Sequence, residues 1–157
     1  MKKSIWNYSL MVIGFLLLFT VGCKKDDTST SGSYHFDCKI DGVAFAVTNH
    51  LSDIDAGGAN IGGVQINLQS QKTSSFNVYA KDLGAKGAAD YTLTIYDVTY
   101  VDENLVSWHW KSGSLTVTKF DSAKSEVTGT FTSIVLESDT GLTKTATNGS
   151  FFEHLIK

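Results

Sequence analysis

The chain contains no proline among its 157 residues, only two cysteines, and no surplus of positive charge. Without proline, turns must come from Gly, Asp, Asn and Ser, through positive φ and side-chain hydrogen bonds to the backbone, and proline-rich linkers are excluded. Two cysteines, Cys23 and Cys38, are too few for the disulfide framework of a small exported scaffold. Lysine and arginine number 13 against 16 acidic residues, a formal charge of −3. That balance excludes nucleic acid as a partner, because displacing counterions from phosphates needs a basic stripe.

Also missing are the nucleophile elbow, the phosphate loop and the dinucleotide fingerprint. His35, His50, His109 and His154 are scattered, without the short ligand spacing of a zinc site. The loop from Asp53 to Asn60 places carboxylates and a glycine where a calcium loop has them, but Val64 stands where a bidentate Glu is required; a mobile Gly-rich connection is expected there. Cys38 falls on the apolar side of its segment and reads as a buried, unreactive thiol. Asp102-Glu103 reads as a solvated pair at a turn. The sequence therefore yields no catalytic residue, no metal and no cofactor, and a non-enzymatic protein is the expectation.

What is present begins at the N-terminus. Lys2 and Lys3 precede an uncharged apolar run, Leu10 to Val21, followed at once by Gly22 and Cys23. This is the n-region and h-region of a secretory signal. A run of about a dozen residues falls short of the roughly 20 that a helix needs to span a bilayer. The junction Thr20-Val21-Gly22-Cys23 resembles the lipobox of bacterial lipoproteins. That resemblance implies cleavage before Cys23 and a diacylglyceryl thioether, with further acylation such as palmitate, on its sulfur. One acyl chain anchors marginally and two or more anchor stably, at about 0.8 kcal/mol per buried methylene. Loss of Lys2 and Lys3 with the signal, and of no acidic residue, would move the charge from −3 to −5.

Residues 23–33 read as a lipidated tether: Lys24-Lys25-Asp26-Asp27, then a Ser/Thr/Gly run without an apolar face. The charged tetrad is similar to the export signal of Bacteroidota surface lipoproteins. The resemblance implies an outer-membrane protein, lipid-anchored and exposed on the cell surface.

From Tyr34 onward the period is two, the mark of strands with one buried face. Phe36, Cys38 and Ile40 alternate with polar residues before an Asp41-Gly42 hairpin signal and Val43 to Val47. Val64 to Leu68 and Phe76 to Ala80 suggest a second hairpin. Tyr91 to Tyr96 reads as a half-exposed strand. Leu105 to Trp110 and Leu115 to Phe120 are separated by a turn at Lys111 to Ser114, and Val127 to Leu136 follows. The chain closes with Leu142 to Thr147, a turn at Asn148-Gly149, and Ser150 to Ile156. Nine or ten short strands without crossover helices predict an all-β protein. The expected form is one antiparallel β-sandwich over residues 34–157, with a partly closed barrel as runner-up. The pieces Phe36 to Phe45, Ser112 to Lys119, Val127 to Phe131 and Asn148 to Phe151 resemble those of small Bacteroidota lipoproteins of unknown function. This likeness implies a surface β-sandwich and no catalytic residue.

Trp108-His109-Trp110 is the most conspicuous cluster. On a strand both indoles share a face with Val106, the pattern of a core face; the functional alternative is an aromatic platform stacking on a sugar. Three roles are open to such a protein: an accessory module binding a glycan or an envelope protein, a structural envelope lipoprotein without a small ligand, or a hydrolase with an unrecognised site.

Overall fold

The computed structural model describes residues 33–157. The signal segment 1–22, Cys23 and the tether up to Gly32 lie outside the described residues. Eleven antiparallel strands and one short helix follow in order: β1 (His35–Ile40), β2 (Val43–Ala46), β3 (Asn49–His50), β4 (Asp53–Ile54), β5 (Gly58–Asn67), β6 (Lys72–Lys81), α1 (Leu83–Lys86), β7 (Ala89–Thr92), β8 (Val98–Val101), β9 (Ser107–Asp121), β10 (Glu126–Ser138) and β11 (Thr143–His154). The expected all-β antiparallel class is what forms.

The strands make one continuous sheet in the order β2-β1-β11-β10-β9-β8-β6-β5-β3, with β4 added to β5 and β7 to β9. The sheet curls so that distant strands face one another. Phe76 of β6 stacks on Phe131 of β10, centroids 5.9 Å apart and planes at 9°, and meets Phe36 of β1 at 5.4 Å. All three rings are buried; truncating one such ring costs about 3–5 kcal/mol through lost burial and the cavity left behind. The two ends of the strand order are consecutive in sequence. Val47 N–H donates to Phe36 O of β1 (3.0 Å) and Thr48 N–H to Val64 O of β5 (2.9 Å), so the segment from β2 to β3 bridges the two edges of the curl.

Local chemistry accounts for the first hairpin. Asp41 and Gly42 both take positive φ, 49° and 83°, the pair required by a two-residue turn whose twist matches the flanking strands. Two other turn signals sit inside strands. Lys111 to Ser114 does not reverse the chain: β9 runs through it for 15 residues, with Gly113 at φ 117° opposite Ile134 and register shifts nearby. Asn148-Gly149 likewise lies within β11, where Asn148 at φ 54° forms a bulge against β1 while the register with β10 runs on unbroken. Positive φ serves a bulge as well as a turn, and the length of β10 decides between them by offering one uninterrupted partner. A Cβ on Gly149 would run into the Phe131 ring, and one on Gly129 into Phe151; each ring folds over the glycine opposite it.

Further boundaries differ from the periodicity. The strand expected over Tyr91 to Tyr96 ends at Thr92, because Asp97 accepts from Thr94 N–H (2.6 Å) and turns the chain, leaving Ile95 and Tyr96 exposed. Val98–Val101, too short to show a period, is a strand paired with β6 and β9. The Gly-rich connection near Asp55 is a hairpin between β4 and β5, in which Asp55 Oδ1 accepts from the amides of Gly57 and Gly58 (2.7 and 2.9 Å). Among the described residues no helix is long and apolar enough to cross a membrane.

Candidate functional site

The curl has two poles. At one, the Tyr34 ring packs at a tilt against Phe152 and His154 (5.1 and 5.6 Å) beside the β9–β10 turn, where Leu155 N–H reaches Ser125 O at 2.7 Å. The chain enters the domain there, and β1 carries it to the opposite pole. At that second pole the β1–β2, β5–β6, β8–β9 and β10–β11 connections gather.

An open cleft of about 370 Å³ lies at this second pole, within the range of small-ligand sites. Its floor is apolar, made by Ile40, Phe45 and Tyr100; its walls carry Asp41, Gln65, Ser74, Asp102, Glu103, Asn104 and Lys144. The loop after β8 is fixed by Asp102. One carboxylate oxygen accepts from the amides of Asn104 (2.9 Å) and Val106 (3.1 Å), and the other from Trp108 Nε1 (3.1 Å). Burial works to raise the Asp102 carboxyl, but these donors and the Lys144 ammonium outweigh it and hold it below its ordinary value. Asp102 is therefore a structural acceptor, partly exposed at the turn after β8, and Glu103 beside it is exposed. Lys144 bridges the cleft wall, with Nζ 3.6 Å from Asp41 Oδ2 and 4.7 Å above the Trp108 ring. A cation on an indole face contributes about 0.5–1 kcal/mol at a partly exposed site.

The two tryptophans are not equally enclosed. Trp108 is 6% exposed, one ring face under Lys144 and its N–H spent on Asp102. Trp110 is half-buried against the core and donates Nε1–H to Gly113 O at 3.1 Å. For Trp108 the core-face reading holds: it is a core residue that positions Asp102 and Lys144 and has no open face for a sugar, whereas Trp110 stays partly exposed at the edge of the core. Val106, expected on the same buried face, is exposed.

A second polar cluster lies in the barrel wall. Glu153 follows the inward alternation of Phe151 and Leu155 and is fully buried. Its Oε1 meets His50 Nδ1 at 2.8 Å, while Oε2 has no hydrogen-bond partner among the described residues. Burial pushes the Glu153 carboxyl up, and the His50 ring, the Ser52 hydroxyl and the farther His35 offset only part of that. Sequence reading treated His50 as one of four scattered histidines, since its partner lies 103 positions away.

Comparison with known proteins gives nothing to borrow. No family model, no curated protein and no solved structure matches the chain. The remaining candidates are placed by geometry alone. Cys38 is buried and its thiol is pushed up to about 12, by burial first and the nearby Asp37 second, the inert thiol expected from sequence. Asp53 is engaged by Asn60 Nδ2 (2.7 Å) and Asp55 by the hairpin amides. Among the described residues no three His, Cys, Asp or Glu side chains come together as metal ligands would. Cys23 lies outside the described residues.

The cleft residues that sequence reasoning missed are Asp41, Tyr100 and Lys144. The only local signal was the Asp-Glu-Asn run at 102–104, an Asx turn in which a side chain replaces a backbone acceptor.

Proposed function

We propose that the protein is an exported lipoprotein of the outer membrane, held through acylated Cys23 and displayed on the cell surface, and that it works as a non-enzymatic binding module whose seat is the polar cleft. The observation that carries this reading is the opposition of the two poles. The chain leaves its tether at the Tyr34 pole, and the cleft opens at the other, beside Asp41 and Lys144. A body moored at one end presents the far end to whatever lies beyond the membrane.

Hydrolysis is the weaker reading. A glycosidase pair needs one carboxyl held protonated to serve as acid, whereas the cleft holds Asp102 in the opposite direction. Of the two partner classes, the cleft favours an envelope protein over a glycan. Its aromatic floor residue Tyr100 and the neighbouring Trp108 are 7% and 6% exposed, leaving no ring face on which a pyranose could lie.

The test has two arms. Cys23→Ser should move the chain from the membrane to the soluble fraction, and alanine at Lys25, Asp26 and Asp27 should remove its sensitivity to protease added to intact cells. The full chain in detergent, applied to a glycan array and to photo-crosslinking within its own envelope, should yield a partner that Asn104→Trp, which fills the cleft, no longer captures. Capture unchanged by Asn104→Trp would remove the cleft from the proposal, and retention of the Cys23→Ser chain on membranes would remove the anchor.

A further inference from the structure

Taking the cleft as a binding seat, we infer that its occupant is an extended peptide segment alternating apolar with basic residues, added as a strand to the free edge of β2. The inference rests on the direction of backbone groups. Successive amides of a strand point to opposite sides. Val47 N–H points to β1 and Thr48 N–H to β5, so Ala44 and Ala46 share the direction of Thr48 and turn their N–H and C=O away from β1. Among the described residues β2 is the last strand on that side of the sheet. The pairing of β3 with β5 reaches only Val64. Beyond it Thr48 Oγ1 takes Ile66 N–H at 3.2 Å, and from there β2 and β5 diverge. The cleft is this gap in the wall, lined by Val43, Ala44 and Phe45 on one side and Gln65 on the other.

An unpaired edge that opens into a cleft is the geometry of strand addition, in which backbone hydrogen bonds supply affinity and alternate side-chain pockets supply selection. Side chains directed inward would meet Ile40, Phe45 and Tyr100, which calls for an apolar residue. Those at the rim would meet Asp41, Asp102 and Glu103 against two ammoniums, that of Lys144 in the lining and that of Lys72, which reaches Asn104 at 3.3 Å. Lys144 is committed to Asp41 and to the Trp108 face, which leaves Asp102 and Glu103 against Lys72. The surplus is negative, and it selects lysine or arginine. A second copy of this chain fits poorly, since pairing β2 with β2 would bring a second set of the same carboxylates to the rim.

The experiment selects random heptapeptides displayed on phage against the full chain in detergent, then measures binding of the synthetic consensus peptide. Alternation of Val, Ile or Leu with Lys or Arg is expected. Ala44→Pro removes an N–H that takes no part in the β1–β2 ladder, and it should weaken the peptide at least tenfold, as should Glu103→Lys. N-methylation of alternate peptide amides should do the same, and it reads the edge contact even if the proline variant does not fold. No enrichment, an acidic consensus, or equal binding by the N-methylated peptide overturns the inference. So does a dimer in size-exclusion chromatography that Glu103→Lys strengthens. A glycan captured by the wild type and lost with Asn104→Trp overturns the peptide while leaving the binding module standing; no cleft-dependent capture of any kind overturns both.

Discussion

Glu153 shows at the scale of one residue how the fold constrains chemistry. Strand alternation places it on the core face, where it is fully buried, and His50 alone satisfies one of its oxygens. Because the native carboxyl lies above its ordinary value of 4.5, the folded state holds a proton more readily than the unfolded chain. This group's contribution to stability is therefore most favourable below pH 4.5 and is lost as pH rises through the raised native value. Removing His50 takes away the partner that offsets burial. His50→Ala should cost about 1–3 kcal/mol at pH 7, as leaving a buried acceptor unpaired does, and clearly less at pH 4, where the carboxyl is neutral. Urea unfolding at the two pH values checks this; an equal loss at both would mean that His50 acts by packing and not on the charge. Neither residue's role was legible from sequence, because alternation predicts which way a side chain points but not what stands opposite it. Cys38 was legible, since burial alone determines an inert thiol.

At the scale of elements, periodicity located most strands and misread two turn signals. Asp41-Gly42 reverses the chain, whereas Asn148-Gly149 and Lys111 to Ser114 do not. All three contain a residue at positive φ, Asp41 and Gly42, Gly113, or Asn148. The difference lies in the neighbours: β9, β10 and β11 run 15, 13 and 12 residues side by side, and a bulge preserves that pairing where a turn would end it. The two cases differ in what a side chain would meet. At Gly113 a Cβ faces the Ser133 carbonyl and Ile134, at a φ of 117°; at the true turn, Gly42, it faces open space. Gly113→Ala should therefore lower stability by about 1–3 kcal/mol, the cost of positive φ and overpacking together. A loss below about 0.5 kcal/mol in denaturant unfolding would contradict both costs.

For the whole molecule, an all-β domain was legible in the sequence, and the fold adds its polarity. The cleft could not be read from the chain, since Asp41 and Thr145, which hydrogen-bond at one corner of it, stand 104 positions apart. The signal reading needed no tertiary contact, because the charged start, the short apolar run and Cys23 are contiguous. The account of function depends on that contiguous segment: a tethered body displays its far pole, and an untethered one has no far pole. Mass spectrometry of the N-terminal peptide from the membrane-extracted chain tests this most directly. The mature chain should begin at Cys23 with a diacylglyceryl group on its sulfur; a peptide in which Gly22 still precedes an unmodified Cys23 would contradict the account.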